Sequence, residues 1–249
     1  MDTTLPLIGI PAIGLALAAL FVYATWLTGR QLEPPARRRR TIRVAVGTAV
    51  WLVVTGILAG AGVLARFDVR PPPFVIVFVT TVLGTAALAW SPFGRRFATE
   101  LPFVALIGFQ AFRLPLELCM HQAAAAKIMP EVMTFTGYNF DIVSGITALL
   151  LGLYAWRSKR PLPRPLIAVW NFMGQILLFV IVGVAFAATP VFRAFGDDQL
   201  NTFVTQFPYI WIAVSVAAAL FGHIVTLRKI LAERRAAATA PTPATAAAS

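Results

Sequence analysis

The stretch FQAFRLPLELCMHQ, residues 109–122, decides how many times the chain can cross a membrane. It lies inside an apolar run, residues 101–126, that is long enough to cross a bilayer, since a transmembrane helix needs about 20 mostly apolar residues. It also contains Arg113, Glu117 and His121, and ionisable side chains in mid-membrane are costly. Whether this run crosses the membrane must therefore be decided from the rest of the chain.

The composition is that of a membrane protein. The chain has 249 residues, of which 59% are hydrophobic and 12% charged, and its mean hydropathy is +0.79. Soluble domains carry about 25% charged residues. The net charge of +11 could suggest a nucleic-acid partner, but the basic residues form short runs between long apolar stretches, which excludes that function. A single cysteine, Cys119, excludes a disulfide scaffold.

Seven apolar runs predict an all-α, seven-helix transmembrane bundle that occupies residues 1–230. The runs are residues 6–27, 42–65, 74–90, 101–126, 139–156, 166–188 and 207–227. Residues 231–249 are rich in Ala, Thr and Pro and are predicted to form a disordered cytoplasmic tail.

The distribution of Lys and Arg predicts the orientation. Alternate connections between the runs, together with the C-terminal tail, carry 16 of these residues, and the other connections carry four. The positive-inside rule then places the N-terminus outside and the C-terminus in the cytoplasm of a bacterial inner membrane. If residues 101–126 did not cross, the basic loop at residues 157–164 would lie outside, so we expect this run to cross.

Four polar residues inside that run form one stripe. Gln110, Arg113, Glu117 and His121 are spaced three, four and four apart, which places them on one helix face. Arg113 lies near the bilayer centre, where it must face the bundle interior and pair with an acid. Glu117 and Asp141 are the candidate acids, and Pro115 is expected to kink the helix.

Two interpretations of this stripe remain open. The arginine and one acid could simply lock two helices together, or a polar cavity open to the outside could hold a ligand or a proton. In the loop that follows, Asn139 and Asp141 could cap the fifth helix, or the loop could fold back over the stripe. The candidate ligand-binding or proton-binding residues are Arg113, Glu117, His121, Asp141, Gln110 and Asn139.

A metal site is a further alternative, with Glu117, His121 and Asp141 as ligands. The soft donors Cys119, Met120, Met129 and Met133 would suit copper. However, Cys119 and Met120 point to other sides of the helix than Glu117. No organic cofactor is expected, because retinal would need a buried lysine in the last helix, whereas all three lysines lie in loops or at a membrane edge.

Asn171, Gln175 and His223 are predicted to form a second polar cluster near the cytoplasmic ends of the last two helices. In this interpretation His223 lies in the opposite half of the membrane from His121, so the two histidines do not share a site. This excludes haem held by paired histidines and a three-histidine zinc site.

The strings FRLPLELCMHQ (112–122) and MPEVMTFTGYNFDIVSGITA (129–148), with WNFMG (170–174), resemble a family of bacterial polytopic inner-membrane proteins with no assigned activity. The resemblance covers the fourth to seventh helices and implies no substrate or site role.

Three functions are compatible with these observations. The first is binding or transport of a small polar or anionic solute or of protons. The second is a membrane-embedded hydrolase or transferase that acts on a lipid-linked substrate. The third is a non-catalytic assembly or sensor subunit. The expected partners are membrane lipids, the small solute or protons, and a second copy or another membrane protein.

Overall fold

The computed structural model describes residues 3–239, and these are helical with no β-strand among them. Nine α-helices are joined by loops and short 3₁₀ turns. Their bounds are α1 Thr4–Leu27, α2 Pro34–Gly60, α3 Pro73–Trp90, α4 Pro92–Glu100, α5 Phe103–Gly108, α6 Arg113–Ala125, α7 Ile142–Ser158, α8 Arg164–Ala187 and α9 Ile212–Thr239.

Six helical segments are long and apolar enough to cross a membrane. They are Thr4–Leu27, Pro34–Gly60, Pro73–Trp90, Phe103–Ala125, Arg164–Ala187 and Tyr209–Thr239, and the apolar α7 is shorter. Many large apolar side chains are exposed; Ile57, Leu83 and Phe172, for example, are at least 64% exposed. So wide an apolar surface would be unfavourable in water, but it is favourable in contact with lipid. The chain is therefore a multi-pass α-helical membrane protein.

The fourth segment is a single helical rod with a break in its middle. α5 passes through a 3₁₀ turn, Phe109–Phe112, into α6. Pro115 has no N–H to donate to the carbonyl of Ala111, so regular α-helical bonding cannot continue through this turn. The expected departure from α-helical geometry therefore lies one turn before the proline, immediately before Arg113.

α9 is the central helix and packs against α1, α3, α4, α5 and α8. The expected disordered tail is helical up to Thr239, so the bundle extends beyond residue 230. Ion pairs of Glu233 with Arg164 and Lys229 support this extension. The remainder of the predicted tail, residues 240–249, lies outside the described residues.

Basic side chains gather at one end of the bundle, which we call the basic end. There Arg40 donates to the carbonyls of Thr25 and Thr28 at the end of α1. Arg228 donates to the carbonyls of Ala89 and Ser91 at the end of α3. These cations bind carbonyls in the last turns of α1 and α3 and complement the negative end of each helix dipole, although the Ser91 carbonyl also accepts from the N–H of Arg95 at the start of α4.

Two long loops close the opposite end, which we call the loop end. The first, residues 126–141, lies against α6 and buries Met133 and Asn139. The second, residues 188–208, buries Asn201 and Phe203. Gln199 accepts a hydrogen bond from the N–H of Val132, so the two loops contact each other. Irregular backbone of this kind is tolerated beside a bilayer when protein covers it.

Candidate functional site

Arg113 is the centre of a buried polar cluster. It is 1% exposed and begins α6, close to the middle of the segment Phe103–Ala125. Its Nη1 donates to Oδ1 of Asp141 at 2.6 Å and to the carbonyl of Gly174 at 3.4 Å. Its Nη2 lies 3.1 Å from Nε2 of His223. The guanidinium thus joins α6 to α7, α8 and α9.

Asn139 connects the two acids of the cluster. Its Nδ2 donates to Oε1 and Oε2 of Glu117, each at 2.8 Å, and to the carbonyl of Met133 at 3.1 Å. Its Oδ1 accepts from the backbone N–H of Asp141 at 3.0 Å. The Asp141 side chain forms no cap on α7. Asn139 thus accepts a backbone N–H at the start of α7, as the capping interpretation has it, and its amide also places the loop against Glu117 of the stripe.

His223 belongs to the same cluster, so the prediction of a second, separate cluster was wrong. The run 207–227 suggested that the helix ends just after His223, but α9 continues to Thr239 and places His223 well inside the bundle. Because a guanidinium can only donate, Nε2 of His223 must accept from Arg113. Nδ1 then carries the proton and donates to Oδ1 of Asn171 at 2.9 Å.

Two residues of the predicted clusters lie outside this network. The ring of His121 stacks on Phe135 with centroids 4.6 Å apart, and its Nδ1 is buried without a partner in the part of the chain described. Steps of four residues drift about 40° around a helix, so His121 lies about 80° from Arg113. Gln175 is half-buried, and its side chain makes no hydrogen bond to any of residues 3–239.

Gln110 is fully buried on the 3₁₀ turn, next to the cluster. Its Nε2 donates to the carbonyl of Ala219 at 3.2 Å. Its Oε1 has no partner among the described residues. Gln110 therefore holds the broken segment against α9 and leaves one buried acceptor free.

A cavity of about 80 Å³ borders the acidic side of the cluster. Its polar wall contains Arg113, Glu117, Asn139, Asp141 and Ser215, and the remainder is mostly apolar. A water molecule needs at least roughly 10–15 Å³ of such volume, so the cavity has room for several. The hydroxyl of Ser215 is buried and without a partner among residues 3–239, which makes it a site for such a water.

Two glycines allow the helices to approach closely enough for these contacts. A Cβ on Gly145 would lie 2.5 Å from the backbone N of Leu114, next to Arg113. A Cβ on Gly174 would lie 2.6 Å from Cε1 of His223. Sequence reasoning missed both, because glycine is common in membrane helices and nothing local distinguishes these two.

The metal hypothesis is not supported by the arrangement of the side chains. Within residues 3–239 no three or more His, Cys, Asp or Glu side chains are grouped as metal ligands. His121 is directed to Phe135 and away from Glu117 and Asp141. Cys119 packs against Gly9 on α1. Met120, Met129 and Met133 are buried in an apolar core cluster.

The site and fold together define a multi-pass α-helical membrane protein with an interhelical polar cluster. No protein-family model matches the chain, and no curated protein or solved structure is significantly similar to it.

Proposed function

We propose that the protein binds a proton at Glu117 and conducts protons through the buried cluster. In this proposal it resides in a bacterial inner membrane with seven crossings, the N-terminus outside and the C-terminus in the cytoplasm. The sixteen-to-four distribution of basic residues supports this orientation. The loop end then faces outward and the basic end faces the cytoplasm.

One observation carries the proposal: Glu117 is a buried carboxyl without a cation in hydrogen-bond contact. It is 2% exposed, and both of its oxygens are held by a single amide group, that of Asn139. An ionised carboxylate in such a place is costly, and a bound proton neutralises it. Glu117 also lines the cavity, so water there can deliver that proton.

The geometry favours a proton over an anionic solute. Arg113 is the only buried arginine among the described residues, and it already donates to Asp141, Gly174 and His223. Its Nε–H has no partner among residues 3–239, but a bound anion would face the Asp141 carboxylate, which lies 2.6 Å from Nη1. The small volume of the cavity suits water better than a solute of several heavy atoms.

The cluster extends from the cavity toward the basic end. Asn139 links Glu117 to Asp141, Arg113 links Asp141 to His223, and His223 reaches Asn171. Thr226 lies one turn beyond His223 on α9, and its buried hydroxyl has no partner in residues 3–239. Together these groups provide a route along which protons can pass between bound waters.

The test is proton flux into proteoliposomes that contain the purified full chain and a pH-sensitive dye. We expect the wild type to conduct under an imposed potential and Glu117→Gln to lose most of that flux, because glutamine cannot exchange a proton. The matched control is Glu131→Gln, which removes an exposed acid from the same loop end and should leave the flux unchanged. Wild-type flux equal to that of empty liposomes, or full flux in Glu117→Gln, would overturn the proposal.

A further inference from the structure

A large groove lies apart from the polar cluster. Its volume is about 690 Å³, and its walls come mainly from α1, α2, α3 and α9. α2 packs on α1, whereas α3 packs on α9, and the groove lies between these two pairs. Leu20, Tyr23 and Leu88 line it and are 41%, 57% and 38% exposed, so the groove is open to its surroundings.

Lipid hydrocarbon surrounds this groove, because α1, α2, α3 and α9 are all membrane-spanning candidates. If each heavy atom takes roughly the 30 Å³ of a liquid water, the groove has room for about 20 of them, which is one long acyl chain. Gly47 and Gly84 keep its walls open, since a Cβ on either would meet nothing within 4 Å.

Four threonines on the wall show that the groove is not purely apolar: Thr48, Thr80, Thr81 and Thr85. Thr81 donates to the carbonyl of Val77 one turn back, whereas the hydroxyls of the other three have no hydrogen bond within the described part of the chain. Of the three free hydroxyls, that of Thr85 lies nearest the basic end, five residues before α3 ends, and so nearest to the ester oxygens of a lipid whose phosphate lies at that end.

Positive charge lies where the groove meets the basic end. Arg40 precedes Gly47, Thr48 and Trp51 on α2 by about two to three turns, so it lies on the same helix face as these lining residues. Its Nη1 and Nη2 donate to Thr25 and Thr28, which leaves its Nε without a partner among the described residues. Its guanidinium sits 4.7 Å from the ring of Phe93 on α4, the helix that also carries Arg96. Glu100 lies on the same helix and pairs with Arg96 at 4.0 Å, so the two arginines keep a net positive charge there.

We infer that this groove binds an anionic phospholipid, with one acyl chain between the two helix pairs and the phosphate beside Arg40 and Arg96. The apolar walls recognise the chain, and the guanidinium groups recognise the phosphate. The site is separate from Glu117, so its failure would leave the proton proposal standing.

The chain-binding part is tested with tryptophan fluorescence, because Trp51 lines the groove. The full chain is reconstituted with phosphatidylglycerol whose acyl chains carry bromine, which quenches tryptophan fluorescence. The fluorescence of Trp51 is obtained by subtracting the signal of Trp51→Phe from that of the protein with Trp51. We expect strong quenching in the wild type and weaker quenching in Gly84→Leu, whose side chain occupies part of the groove.

The matched control is Gly183→Leu on α8, where a Cβ also meets nothing within 4 Å but the glycine does not line the groove. This variant should quench like the wild type. Equal quenching of Trp51 in Gly84→Leu and the wild type would contradict binding in the groove. A retained unfolding transition in both variants shows that they are folded.

The headgroup part is tested by comparing brominated phosphatidylglycerol with brominated phosphatidylcholine. A basic residue near a membrane surface contributes about 1 kcal/mol toward anionic lipid, so Arg96→Gln should lower the preference for phosphatidylglycerol about fivefold. Arg95→Gln removes the same charge from the same helix but close to Arg228, and it should keep the preference. No wild-type preference between the two lipids, or an equal loss in both variants, would overturn the headgroup assignment.

Discussion

Burying the Arg113 guanidinium removes a permanent charge from water, and the Asp141 carboxylate 2.6 Å away offsets that cost. Breaking a buried ion pair by removing one partner typically costs about 3–5 kcal/mol, because the remaining charge is left uncompensated. We therefore expect Asp141→Asn to lower the free energy of unfolding by about that amount, measured by denaturation in mixed detergent.

The control for this prediction is the exposed pair Arg193–Asp197, in which the same substitution, Asp197→Asn, should change stability by less than about 0.5 kcal/mol. The double variant Arg113→Met, Asp141→Asn should be less destabilised than the sum of its two single variants. Additive losses would show that Arg113 and Asp141 do not depend on each other.

Gly145 gives a second prediction at the residue scale. An added Cβ would lie 2.5 Å from a backbone nitrogen of α6, which cannot rotate away as a side chain would. Gly145→Ala should therefore separate α6 from α7, cost roughly 1–3 kcal/mol and reduce proton flux. Gly183→Ala, where a Cβ meets nothing within 4 Å, should be neutral or slightly stabilising. Equal melting temperatures for the two variants would refute this close approach.

At the scale of elements, the loop 126–141 supplies groups that no regular helix could supply at that place. α7 has only 17 residues, which at about 1.5 Å per residue is less than a hydrocarbon core of about 30 Å. Asp141, immediately before its first residue, nevertheless meets Arg113 in the middle of the neighbouring segment. The preceding loop must therefore fill the space beside the part of α6 that lies toward the loop end.

This packing predicts that a water-soluble reagent reaches one position of the loop and not another. Met133 is 3% exposed and Tyr138 is 51% exposed. In a Cys119→Ala background, Tyr138→Cys should react with a membrane-impermeant maleimide, and Met133→Cys should react only after denaturation. Comparable labelling of both cysteines in the native protein would mean that the loop is not packed against α6.

The places of the helices could be predicted from the sequence because hydropathy over about 20 residues depends only on local composition. The pairing of Arg113 with Asp141 was also predictable, since a buried cation needs an acid and few are present. The partnership with His223 was not predictable. It depends on where α9 ends, and that end is set by helix-forming Ala and Arg residues and by contacts of Glu233 with distant parts of the chain.

At the scale of the whole molecule, the basic residues have two roles. Arg40, Arg228 and Lys229 donate to carbonyls at the ends of α1, α3 and α4, so they stabilise the folded bundle directly. The same residues belong to the connections whose excess of positive charge predicts the cytoplasmic side. Helix capping and the positive-inside rule therefore both favour a concentration of basic residues at the basic end.

The proposed orientation depends on whether the short helix α7 crosses. Seven crossings put the two termini on opposite sides, whereas six put them on the same side. We expect a C-terminal green fluorescent protein fusion to fluoresce in the cytoplasm and an N-terminal epitope to be accessible from outside in intact cells. A phosphatase inserted at Lys159, between α7 and α8, should be inactive, because that loop carries four basic residues between 157 and 164. Termini on the same side would mean that α7 does not cross, and an active phosphatase at Lys159 would reverse the assignment of the loop end.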